Sequence, residues 1–141
     1  MTSGSKVMEH LPAETPSAVE YFARRMACET DCADVAADIA AGVTEFVIVD
    51  CRSPELYAAG HVPGAVSIPH RQINSQTVAA LLPAGALVVT YCNGPHCNAG
   101  ARGALRLAAL GRRVKEMHGG MDGWLRERLP VEKGTPSDSG Q

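Results

Sequence analysis

Cys92 is the side chain with the clearest chemical potential, because it stands in Val88-Val89-Thr90-Tyr91-Cys92-Asn93-Gly94-Pro95-His96-Cys97-Asn98-Ala99. The segment reads as strand, short loop and helix. In open α/β sheets ligands bind at the carboxyl ends of strands, and Cys92 falls at such an end. Gly94 and Pro95 permit a sharp arc in which backbone N–H groups converge, and the following helix aims its positive end at the same point. That arrangement stabilises anions, so it favours a thiolate and would hold the terminal sulfur of a persulfide. A buried free cysteine can also be a plain small apolar residue. The loop between two well-marked elements favours the reactive reading.

The elements that must hold this loop follow from periodicity. Ala18 to Cys28 is a helix candidate with Val19, Phe22, Ala23 and Met26 on one face, a face expected to pack on the rest of the protein. Asp31 can cap a second helix through about Ala41, with Gly42 as its stop. Phe46 to Val49 reads as a buried parallel strand. Ser53 as N-cap and Pro54 in the first turn open a short helix to about Ala59. The turn Gly60 to Ala65 leads to a short strand at Val66 to Ile68. A helix at Ser75 to Leu82 precedes the strand Leu87 to Tyr91. Helix Asn98 to Leu110, strand Arg113 to Met117, the Gly119-Gly120 turn and a last helix near Met121 to Leu129 complete the series. Alternating strands and helices predict an α/β fold with a parallel sheet covered on both faces.

A chain of 141 residues, 45% hydrophobic and 20% charged, suits one domain with its own core. Residues 16–133 are expected to form it, with 1–15 a flexible N-terminal segment and 134–141 a disordered tail. Its 13 basic and 15 acidic residues are interspersed and give a net charge of -2, so neither nucleic acid nor a membrane surface is expected as partner. The longest apolar runs are far below the ~20 residues that cross a bilayer. No basic, apolar and small-residue series marks an export signal, so a reducing cytosol is the expected compartment. Five cysteines, an odd number, argue against a disulfide scaffold and for free thiols. The spacings Cys28-x3-Cys32 and Cys92-x4-Cys97 differ from zinc-ribbon CxxC pairs, although His96 and Cys97 beside Cys92 keep a metal in view; no metal or cofactor is expected.

Several motifs resemble the rhodanese family. They are Asp50-x-Arg52 followed by Pro54-Glu55-Leu56-Tyr57, then Gly60-His61-Val62-Pro63-Gly64-Ala65 with Ile68-Pro69, Tyr91-Cys92 and its loop, the Leu110-Gly111 helix end, and Gly119-Gly120 before Trp124. The resemblance covers roughly residues 27 to 131. It implies a five-stranded, mainly parallel sheet flanked by helices, and a sulfurtransferase that moves sulfane sulfur through a cysteine persulfide. Cys92 would be the nucleophile, and the backbone of Asn93, Gly94, Pro95, His96, Cys97 and Asn98 would form the cradle. Thiosulfate or a small-molecule or protein persulfide would be the donor, and a thiol or other thiophile the acceptor. Asp50 and Arg52 would support the loop, as a hydrogen-bonded corner or in catalysis, and His61 would stabilise its turn rather than act as a base.

The chain departs from the family pattern at the sixth loop position, where active rhodaneses often carry Arg and this chain has Cys97. Thiosulfate preference is therefore in question, with His96 and Arg102 the nearest cationic candidates. Phosphatase or arsenate reductase relatives of the fold use a loop one residue longer, ending in Arg where this chain has Asn98. Cys97 is expected to fill the junction of loop and helix. The alternative is that it attacks the inner sulfur of a Cys92 persulfide and closes a disulfide, giving a catalytically weak regulatory or redox-sensing module.

Overall fold

The computed structural model describes residues 4–135. Five strands form one sheet: β1 (Glu29–Thr30), β2 (Phe46–Asp50), β3 (Val66–Ser67), β4 (Leu87–Tyr91) and β5 (Val114–Met117). Their spatial order is β1-β5-β4-β2-β3 and every pairing is parallel. Six helices accompany them: α1 (Thr15–Cys28), α2 (Cys32–Ala40), α3 (Pro54–Ala59), α4 (Ser75–Leu81), α5 (Ala99–Ala109) and α6 (Gly120–Arg126). The α/β class and the helix-covered parallel sheet expected from the sequence are both present.

The period of two along the strands sorts side chains into two cores. Ile48, Val89, Tyr91 and Met117 meet Val35 of α2, Tyr57 of α3 and Trp124 of α6 on one face. Val49, Val88 and Cys92 meet Val78 of α4 and Leu107 of α5 on the other. Helix starts obey local chemistry: the side chains of Asp31, Ser53 and Asn74 accept from the amides of Asp34, Leu56 and Thr77. Central strands β2 and β4 run in register, with Asp50 opposite Tyr91, so their carboxyl ends lie side by side. That register puts the Asp50-Arg52 corner next to Cys92.

Two expectations about the edges fail. Strand β1 was not foreseen, since two residues carry no period and form a strand only because β5 offers its edge to them. Helix α1 buries none of its residues; Val19, Phe22 and Met26 are 68%, 53% and 63% exposed instead of packed. It leans on the β1/β5 edge, where Lys115 Nζ donates to the Met26 carbonyl at 3.0 Å. At the other terminus Gly134 N donates to Ala58 O at 2.8 Å, tying the chain to α3. The rest of the expected tail, 136–141, and residues 1–3 lie outside the described residues. No helix among the described residues is long and apolar enough to cross a membrane.

Candidate active site

Cys92 leaves the end of β4 with only 4% of its surface exposed, its side chain among Val49, Val88 and Ala99. The chain then arcs through Asn93, Gly94, Pro95 and His96 to Cys97, whose N–H donates to the Gly94 carbonyl at 3.0 Å. Pro95 has no N–H to give. These two residues therefore drop out of the expected cradle of amides. The amides of Asn93, Gly94, His96 and Asn98 meet no acceptor among the described residues. Helix α5 starts after Asn98 without a side-chain cap, leaving its first-turn N–H groups directed at the loop.

The sulfurs of Cys92 and Cys97 are joined in a disulfide, with Cα atoms 6.4 Å apart. This corrects the expectation of free thiols throughout: Cys28, Cys32 and Cys51 are free, and the loop pair is bonded. It also corrects Cys97 as simple filler of the junction. The arc folds the sixth residue back over the first, the pairing that the alternative reading of Cys97 required.

The loop's outer wall is α6. Met121 N donates to Cys92 O at 2.9 Å and Asp122 N to Asn93 O at 2.7 Å. Contact this close is possible because residue 120 is glycine, at φ +63°. A Cβ there would lie 2.7 Å from Cys92 O, Asn93 C and Gly94 N. The Gly120 carbonyl in turn accepts from the Cys32 thiol at 3.5 Å. Burial pushes that thiol up to about 11, with help from the charges of Glu127 and Asp31, so it stays protonated as a donor. Gly120 and Cys32 are site residues that sequence reasoning missed; the Gly119-Gly120 pair was visible as a turn, but not its contact with the loop.

Behind the loop stands a closed corner. Asp50, fully buried, takes the Arg52 backbone N–H at 2.9 Å, Nε at 3.0 Å and Nη2 at 2.7 Å. Tyr91 Oη donates to Asp50 Oδ2 at 2.8 Å and accepts from Val62 N at 3.1 Å. Arg52 Nη2 also reaches Gly60 O at 2.7 Å, and Nη1 reaches Asn93 Oδ1 at 3.4 Å. Burial draws the Arg52 guanidinium down, but hydrogen bonding and attraction to Asp50 outweigh it and raise it overall. Tyr91 is raised by burial and by Asp50, so it remains a neutral donor. Arg52 is thus committed inward, and among the described residues its hydrogen bond to the loop is the one to Asn93. Tyr91, which ties both strand ends together, is another participant the sequence did not single out.

His61 is buried in the turn: Nδ1 meets the Tyr57 carbonyl at 2.7 Å, its ring stacks on Tyr57 with centroids 3.7 Å apart, and its backbone pairs with Glu132. His96 is exposed and lies 3.6 Å from the Asp122 carboxylate. Arg102 N donates to the Asn98 carbonyl at 2.8 Å as part of the helix, but among the described residues its guanidinium makes no hydrogen bond or ion pair to the loop; it is exposed on α5, and its charge acts, after burial and Arg71, to lower His70. Glu116 of β5, half-buried and raised chiefly by burial, lies beside Gly100, where a Cβ would be 3.0 Å from its Oε2 and 3.3 Å from Cys92 N. The polar groups around the loop are therefore mostly amides and carboxylates. A cavity of about 610 Å³ lies elsewhere, lined by Tyr57, His61, Leu81, Glu132 and Lys133 among others.

Such a site can hold a sulfur anion by backbone dipoles, and it can exchange sulfur between two cysteines. Comparison with known proteins adds four findings. Residues 32–127 match the rhodanese-like domain. Over 97 residues the chain is 39% identical to an HTH-type transcriptional regulator of Mycobacterium tuberculosis, covering 68% of this chain and 42% of that protein. Over 87 residues it is 36% identical to the thiosulfate sulfurtransferase GlpE of Pseudomonas entomophila, covering 61% of this chain and 75% of that protein. Among solved structures, a Bacillus halodurans protein superposes with a TM-score of 0.80 at 38% identity, covering 85% of this chain and 87% of that one.

Proposed function

This chain belongs to the rhodanese-like domain family, and from that premise we propose that it is a sulfurtransferase whose carrier is Cys92. The observation that supports this most is the placement of Cys92 at the end of a central strand, inside an arc of unengaged amides and against an uncapped helix start. With the Cys92–Cys97 bond reduced, the Cys92 thiolate attacks the outer sulfur of a donor. The bond from that sulfur to the rest of the donor breaks, and sulfite or a thiol leaves with the electron pair. The persulfide anion so formed rests on the loop amides. An acceptor thiolate then takes the outer sulfur and Cys92 leaves as thiolate, so one nucleophile serves two half-reactions. Asp50, Arg52 and His61 act as supports that fix the strand ends and the turn. A reducing compartment such as the cytosol suits the cycle.

The donor is a persulfide more readily than thiosulfate. No side-chain cation holds the sixth loop position, Arg52 is spent on Asp50 and Gly60, and the Asp122 carboxylate stands beside Gly94, where a Cβ would meet it at 3.2 Å. A small dianion meets repulsion there. The expected outcome is that Cys92→Ser loses all donor-dependent sulfur transfer with thiosulfate, mercaptopyruvate and glutathione persulfide assayed side by side. Turnover retained by that variant would refute Cys92 as carrier.

A second reading, a regulatory module with negligible turnover, is supported by the 39% identity to a protein named as a transcriptional regulator, of which this chain spans 42%. A wild-type rate no greater than that of Cys92→Ser with every donor would favour it.

A further inference from the structure

We propose that Cys97 is a resolving thiol that discharges the Cys92 persulfide as hydrosulfide, so that the domain reduces sulfane sulfur with electrons drawn from a dithiol partner. The inference rests on Cys92 carrying a persulfide and goes beyond transfer to an acceptor. Its ground is the juxtaposition of the two loop sulfurs, which the arc brings within bonding reach while the rest of the loop stays anchored to α6.

The step balances without any outside oxidant. The Cys97 thiolate attacks the inner sulfur of Cys92–S–S⁻, a new Cys92–Cys97 bond forms, and the bond to the outer sulfur breaks. That sulfur leaves with the electron pair and takes up a proton from water as hydrosulfide. The sulfane sulfur is reduced, and the two cysteines supply both electrons by becoming a disulfide. Water retains the Cys97 proton. No acceptor thiol is consumed, which separates this outcome from transfer.

Recovery needs a dithiol, and the two sulfurs are unequal in a way that directs it. Cys92 is buried, whereas Cys97 is partly exposed at the loop surface. An incoming thiolate reaches Cys97 and expels Cys92, the sulfur that the loop amides and the α5 terminus stabilise as an anion. The second thiol of the partner then frees Cys97 and leaves as the partner's own disulfide. The loop's missing cation fits this division of labour, since the sixth residue serves as an electron donor to the bound sulfur rather than as an anchor for an anionic donor.

The test uses pre-reduced protein with the excess reductant removed, exposed to glutathione persulfide and then desalted. In wild type the expected result is about one equivalent of hydrosulfide per chain, no added sulfur, and a Cys92–Cys97 disulfide in the peptide map. Addition of a dithiol should restore both thiols and permit a second discharge. In Cys97→Ser the expected result is one added sulfur atom on Cys92 with no hydrosulfide beyond the level of Cys92→Ser; Cys97→Ala provides the same reading if the serine variant folds poorly. Wild type that keeps the added sulfur with Cys97 free overturns the resolving role alone. Failure of both Cys97 variants to take sulfur on Cys92 overturns the carrier role, and the resolving role with it.

Discussion

The carboxyl ends of β2 and β4 lie side by side, yet they are built from different materials. The β2 end is a side-chain network in which Asp50 and Arg52, joined by the Tyr91 hydroxyl from β4, satisfy one another and reach the carbonyl of Gly60 and the amide of Val62. The β4 end is a backbone arc held by two amides of α6, with unengaged N–H groups and a pair of sulfurs. A network whose groups are all paired resists change, because removing any member strands another in low dielectric. An arc with free donors is prepared to meet a ligand. The fold thus puts its rigidity in one strand end and its chemistry in the next.

Asp50→Ala should do the greatest damage to stability. It leaves the Arg52 guanidinium buried without its partner, which costs about 3–5 kcal/mol, read as a lower denaturant midpoint with an unchanged slope. A loss below about 1 kcal/mol would mean that the corner is no tighter than a surface ion pair.

Gly120→Ala attacks the other end. A non-glycine residue at φ +63° costs about 1–3 kcal/mol, and its Cβ would overlap three backbone atoms of the loop. Sulfur transfer should therefore fall steeply at temperatures where circular dichroism still reports folded protein. Unchanged transfer in that variant would show that the arc does not depend on α6.

The smallest expected effect is on pH dependence. The Cys32 thiol is raised from 9.0 to about 11, mainly by burial, and Cys51 to about 12. A raised thiol binds its proton more tightly in the folded state, so its stabilisation is complete below the unfolded value and fades as pH climbs through 9 toward 11. Reduced wild type should lose stability over that window, and Cys32→Ala should flatten part of the slope. An equal slope in both would remove Cys32 as a protonated support of Gly120.

Much of this was legible in the residues. Alternation and capping chemistry located β2 to β5 and α2 to α6 within a few positions, because local pattern and tertiary packing agree there. The reactive loop was legible for the same reason, a strand and a helix bracketing Gly94 and Pro95. What escaped depends on distant partners. Strand β1 exists through β5, Gly120 matters because Cys92 and Asn93 sit against it, and Tyr91 matters because its hydroxyl reaches Asp50. The exposed face of α1 was misread since an amphipathic period shows that a face exists, not that this chain covers it. Arg102 was a candidate by proximity in sequence, but helix geometry turns it to solvent near His70.

The central claim is that sulfur passes through Cys92, and a pulse and chase with isotopically labelled sulfane sulfur meets it most directly. Glutathione persulfide with a labelled outer sulfur is given to reduced Cys97→Ser, the protein is desalted, and an acceptor thiol is then added. The expected result is label on the Cys92 peptide first, followed by its loss as labelled acceptor persulfide appears. Label found on Cys28, Cys32 or Cys51 instead, or acceptor labelled without passage through the Cys92 peptide, would contradict it.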